Sequence, residues 1–174
     1  RAQLKEVKPN AAHVALARLE REWPGDFLLV TQNVDDLHER AGSKHLIHMH
    51  GELLRARCLE SGTDQDWAIE IDTNSKCGCC GLTGTLRPHI VWFGEMPLQM
   101  ETIYATLAEC DLFIAIGTSG QVYPAAGFAS EVAGKARTIE VSFDETQVSQ
   151  VFEEHRRGLA SHEVPRLVDE LLSL

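Results

Sequence analysis

The sequence predicts a doubly wound parallel α/β sheet carrying a small metal-binding insertion, and two observations predict it. Short continuous apolar runs of the kind buried in parallel strands recur at Phe27-Leu28-Leu29-Val30-Thr31, Leu112-Phe113-Ile114-Ala115-Ile116 and Thr138-Ile139-Glu140-Val141. Helical patterns intervene at Met100 to Ala108 and Ala125 to Ala133. Strands alternating with helices are what βαβ units require.

Taken in order, Pro9 to Glu22 sets Ala12, Leu16 and Leu19 at helical spacing with polar residues between, and Asn10 stands near its start as a cap. An amphipathic helix is expected there. The Pro24-Gly25 break then leads into the first apolar run. Between Leu53 and Arg87 the rhythm stops, and the text becomes polar and Cys-rich without a clear period, which reads as an inserted metal module. From Pro165 to Leu174 the residues Leu167, Val168, Leu171 and Leu172 return to helical spacing, so a terminal helix should pack on the sheet.

Composition narrows the function classes. With 174 residues, 44% hydrophobic and 24% charged, the chain can bury an ordinary core without being fibrous or disordered. A net charge of −10 opposes phosphate backbones and anionic membranes and favours a basic peptide as partner. Neither an apolar run approaching the ~18 residues of a membrane span nor a secretory signal pattern is present, which makes the cytoplasm the default compartment. Nucleic acid and membrane are therefore not expected partners, and nothing in the text speaks to oligomeric state.

Four constellations carry possible chemistry. Gln32-Asn33-Val34-Asp35 follows the first strand directly, where ligands bind in open α/β sheets; Asn and Asp also suit a helix cap, whereas Gln32 does not. In His48-Met49-His50-Gly51, alternation points both histidines to one face, and Gly51 permits a close backbone approach. An imidazole at a strand end is a natural general base, against the plainer reading of a histidine held by structural hydrogen bonds. Cys58, followed after 18 intervening residues by Cys77-Gly78-Cys79-Cys80, brings three thiolates, Cys58, Cys77 and Cys80, to one structural zinc. Ser61 breaks the four-cysteine spacing, leaving Cys79 or a nearby acidic residue for the fourth position. Gly117-Thr118-Ser119-Gly120 ends a buried strand with small residues whose amides can approach a phosphate or ribose, although turn chemistry alone would also explain them.

Together, Thr31-Gln32-Asn33-Val34-Asp35, His48-Met49-His50-Gly51, Leu86-Arg87-Pro88-His89-Ile90-Val91-Trp92-Phe93-Gly94-Glu95 and Ile116-Gly117-Thr118-Ser119 closely resemble the sirtuins in order and spacing. The resemblance runs from Pro9 through the last helix, and its wording is similar to the bacterial class III branch. It implies an NAD-binding Rossmann-like domain over residues 1–52 and 88–174, with a zinc module over 53–87. It also implies NAD-consuming removal of acyl groups from protein lysine, in which nicotinamide leaves and the acyl oxygen attacks C1′ of the ribose, giving O-acyl-ADP-ribose. On this likeness His50 is the general base. Gln32, Asn33 and Asp35 line the nicotinamide and ribose pocket, while Gly117, Thr118 and Ser119 meet the cofactor farther along. Ser142, where the family often has Asn, and Ala160 belong to the adenosine side. Phe93-Gly94-Glu95 and the loop containing Val122 hold the acyl-lysine peptide as an added strand.

Two departures accompany the likeness. The Tyr and Arg that select acidic acyl groups fall upstream of Pro9, and Arg1 is not assigned to that pair, so desuccinylation is expected from the branch alone. The Gly-rich phosphate loop that opens the sirtuin sheet has no counterpart in these residues, which predicts an exposed apolar surface where its strand would lie and, were these residues the whole protein, low activity or none. The competing expectation is a noncatalytic, zinc-stabilised module that grips an acyl-lysine peptide or a nucleotide, and ADP-ribosyl transfer to protein would use the same pocket.

Overall fold

A computed structural model describes residues 1–173. Helix α1, Ala11–Glu22, begins where expected because the Asn10 side chain accepts from the backbone N–H groups of Ala12 and His13, satisfying two first-turn donors. It is followed by β1 (Leu29–Thr31), α2 (Leu37–Ala41) and β2 (Leu46–His48), then β3 (Gly51–Cys58), β4 (Asp64–Asp66) and β5 (Leu86–Ile90). The chain continues through α3 (Met100–Ala108), β6 (Leu112–Ile116), α4 (Phe128–Val132), β7 (Arg137–Ser142), β8 (Glu154–Arg157) and α5 (Ala160–Leu171).

The α/β class holds, and the parallel sheet comes in two pieces: β1 pairs with β2, and β6, β7 and β8 form a separate parallel set. Alternation along the strands explains the double winding. Leu112, Ile114 and Ile116 of β6, with Ile139 and Val141 of β7, pack towards α1 and α5, where Leu19, Val164, Leu167, Val168 and Leu171 are buried. Phe113 points the other way, towards Ile103 and Leu107 of α3 and Phe128 and Val132 of α4. Each fully buried Leu or Ile contributes about 1.5–3 kcal/mol.

Two expectations shift in detail. The last helix starts at Ala160, ahead of the expected Pro165, because the buried stripe begins with Val164; the proline costs one backbone bond near the helix start. Leu174, the expected end of that helix, lies outside the described residues. The expected single sheet is also interrupted. Residues of β1 and β6 are not hydrogen-bonded to each other; they line a cleft of about 1730 Å³, and every residue of β6 is half-buried.

The third sheet is antiparallel, in the order β4-β3-β5, and carries the cysteines. Its own core is small: Ala56, Cys58, Cys77 and Leu86, with Trp67 and Ile71 packed against them.

Candidate active site

The exits of β1 and β2 form one knot of main-chain bonds. Met49 N–H donates to Thr31 O at 3.1 Å, Leu53 N–H to Val34 O at 2.7 Å and Val91 N–H to His50 O at 2.9 Å. Gly51 is demanded here: its φ is +81°, and a Cβ would come within 2.0 Å of the His89 carbonyl oxygen. That tight crossing turns the chain from β2 into β3 and sets the half-buried His50 at the strand end.

His50 donates from Nδ1 to the Gln32 carbonyl at 3.2 Å. A carbonyl only accepts, so in the neutral ring Nδ1 carries the proton and Nε2 keeps its lone pair. This is the tautomer a general base working through Nε2 needs. The Gln32 side chain donates to Thr118 Oγ1 at 3.4 Å, joining the exits of β1 and β6 across 86 residues of sequence. The Gly117 amide meets Val141 O at 2.8 Å, and its φ of +62° favours glycine.

Of the sequence-selected residues, Gln32, Asn33, Gly117, Thr118, Ser119 and Ala160 line the large cleft together. Asp35, His50 and Ser142 do not line it. Asp35 Oδ1 accepts from Leu37 N–H at 3.1 Å, so the plainer reading, a turn before α2, describes one of its oxygens. The buried Ser142 hydroxyl is already engaged, donating to Asp144 O at 2.7 Å and accepting from Arg157.

Phe93, Gly94 and Glu95 form a turn after β5. Phe93 is fully exposed and Val122 is exposed. The Glu95 side chain is committed within the protein: Arg87 donates to both its oxygens, at 2.6 and 2.8 Å, and Trp92 N–H donates at 2.9 Å. Those bonds, the Arg87 ion pair first, hold its carboxyl well down, at about 2. The Arg87 guanidinium also lies 4.1 Å from the Trp92 ring centre. Sequence reading missed Arg87 as this brace, although opposite charges eight residues apart flanking a turn offered the signal.

The Sγ atoms of Cys58, Cys77, Cys79 and Cys80 all lie within 4.8 Å of one another. Tetrahedral zinc with Zn–S near 2.3 Å places its sulfurs about 3.8 Å apart, and the Cys58–Cys80 separation is 3.7 Å. The donors fit a structural zinc, with Cys79 in the position the spacing left open. Ser61, through its hydroxyl and backbone, brings the Cys58 thiol down to about 6, towards the thiolate a metal requires.

With this geometry in place, residues 1–124 match the Sir2 family profile. The chain belongs to the Sir2 family. It is 55% identical over 173 residues to an NAD-dependent protein deacylase of Vibrio parahaemolyticus, covering 99% of this chain and 72% of the relative. A Salmonella typhimurium protein of the same description is 54% identical over 171 residues, covering 98% of this chain and 63% of that one. Among solved structures, a Sir2 homologue in complex with NAD superposes with a TM-score of 0.85 at 38% identity, covering 97% of this chain and 68% of that one. A Sir2 protein bound to an acetylated peptide superposes at 0.84 with 28% identity, covering 97% of this chain and 73% of that one. Among the described residues of this sirtuin, no helix is long and apolar enough to cross a membrane.

Proposed function

We propose that this sirtuin chain carries the catalytic machinery of an NAD-dependent protein-lysine deacylase. The observation that carries the reading is His50, whose Nδ1 is tied to the Gln32 carbonyl where β1, β2 and β6 converge, in a chain 54–55% identical to proteins of that activity. NAD is the co-substrate and supplies an electrophilic ribose once nicotinamide leaves. The chain's residues then hold and move protons around it. Nε2 of His50 takes a proton from a ribose hydroxyl, a step worth typically 10²- to 10⁴-fold in rate. Gln32, Asn33 and Asp35 supply polar groups at the nicotinamide end. Gly117, Thr118 and Ser119 offer small side chains and amides farther along, with Ala160 towards adenine.

Exposed Phe93 and Val122, with Gly94 and the Glu95 backbone, would grip the substrate as an extended strand, and main-chain pairing tolerates many sequences. The charge of −10 favours lysine-rich segments. We divide the chain accordingly into an NAD-binding part, residues 1–52 and 88–174, and a zinc module, 53–87, whose ion has no part in the chemistry.

The test is mass spectrometry of acetyl- and succinyl-lysine peptides incubated with the chain, with and without NAD, and with a version extended by a sirtuin Gly-rich segment. NAD-dependent loss of acyl mass with O-acyl-ADP-ribose appearing is the expected result. Peptide binding without turnover in both forms would overturn the reading in favour of a noncatalytic module, and ADP-ribosylated peptide would point to transfer chemistry.

A further inference from the structure

Two histidines, two residues apart at the end of β2, reach back to consecutive carbonyls of one turn. His50 Nδ1 contacts Gln32 O, and His48 Nδ1 contacts Asn33 O, each at 3.2 Å. They differ at the second nitrogen. His48 Nε2 lies 2.7 Å from Oε1 of Glu39 on α2, and the His48 side chain is 9% exposed. A carbonyl and an ionised carboxylate both accept only, so a ring bonded to both must carry two protons. We propose that His48, held as an imidazolium between the Asn33 carbonyl and the Glu39 carboxylate, is a positioning residue that fixes Asn33 for the reaction run through His50.

The surroundings support the charge. Burial disfavours a charged ring, yet the Glu39 bond, the Asn33 carbonyl and the nearby carboxylates of Glu39 and Glu52 outweigh it and hold the His48 pKa above the ordinary histidine value. Glu52 faces His48 from β3, and its carboxylate lies within 4.8 Å of the Glu39 and His48 donor atoms. The like-charge threat is His38 on α2. Burial first, then His13 on α1, lowers its pKa, and the two rings pack with centres 4.6 Å apart. Asp35 and Glu39 stand beside His38 and draw its pKa the other way.

The sign follows from linkage. A raised folded pKa means the clamp is complete below the ordinary histidine value and is lost as pH rises through the folded value. His50 works in the opposite sense, since a base must be neutral. Activity should then carry an alkaline limb from His48, one strand end needing one histidine charged and the other not.

The inference rests on the deacylase reading only for its catalytic consequence, and nuclear magnetic resonance of the chain tests the clamp without turnover. In wild type at neutral pH both His48 ring nitrogens should be protonated and the Asn33 side-chain amide sharp. Glu39→Gln should lower the His48 pKa and broaden that amide, with the fold unchanged. A neutral His48, or an Asn33 amide indifferent to Glu39→Gln, overturns the clamp whether or not the chain is active. In the active form, His48→Gln should lower kcat by roughly tenfold to a hundredfold at unchanged peptide KM and erase the alkaline limb. Glu39→Gln should move that limb to lower pH. Profiles of both variants superposing on wild type would overturn the positioning role, and absence of turnover would count against the deacylase reading alone.

Discussion

The strand exits around His50 and the cysteine sheet are neighbours along β3, yet they are held in place by different physics. The first stands on two hydrophobic clusters, with Leu19, Ile139, Val164 and Leu167 on one face and Ile103, Phe128 and Val132 on the other. It then trims its geometry with hydrogen bonds from side chains to main chain. The second has four buried core residues, two of them cysteines, so little hydrophobic burial supports it without a metal. A catalytic proton needs an orientation, which bonds to carbonyls provide. A small antiparallel sheet needs closure, and the four clustered thiols are placed to provide it on one ion.

Metal removal should break this contrast most visibly. Chelation, or Cys58→Ser, takes away a contribution on the scale of about 10–16 kcal/mol seen for structural zinc in small peptides. Limited proteolysis should then cut between residues 59 and 85 while the fragment containing α1, β7 and α5 resists; metal analysis of the untreated chain should find one zinc. Uniform digestion would mean the two regions are one cooperative unit.

A core change sharpens the other side. Leu167→Ala, 1% exposed between α1 and α5, should cost about 2–5 kcal/mol in denaturant unfolding and leave zinc content unchanged. Glu140→Gln comes next, at about 3 kcal/mol, because the buried carboxylate accepts from Ser149, Thr146, Arg157 and His155, and a neutral amide leaves that guanidinium short of its partner. Burial pushes the Glu140 pKa up, but those four donors more than offset it and bring it to about 2. Being depressed, it contributes stability above the ordinary carboxylate range that is lost as pH falls towards 2, and acid unfolding of the glutamine variant should lack that component. The smallest effect should come from Glu95→Gln at the exposed brace on Arg87: a slight fall in Tm that vanishes at high salt, with a larger rise in KM for peptide as the Trp92–Glu95 turn loosens.

The sequence made legible whatever is local or periodic. Asn10 caps α1, Met100 to Ala108 is helical from end to end, and Gly51 sits where backbone meets backbone. Motif order made the pocket residues legible through likeness to a family, beyond anything spacing alone conveys. Pairings across folded distance escaped it. The choice of Cys79 over an acidic residue, the two candidates the spacing left for the fourth position, rests on the turn after Cys77 folding back. Glu39 of α2 meets His48 of β2 side chain to side chain, nine residues apart, and the split between β1 and β6 depends on which strands find partners.

The most direct measurement is the rate of NAD-dependent lysine deacylation by wild type and His50→Ala at matched zinc content and equal Tm. The variant should lose about 10²- to 10⁴-fold, with zinc and stability untouched. A variant as active as wild type would contradict the general-base role of His50, and a variant that loses zinc or unfolds would show that the strand exits and the cysteine sheet are not separately built.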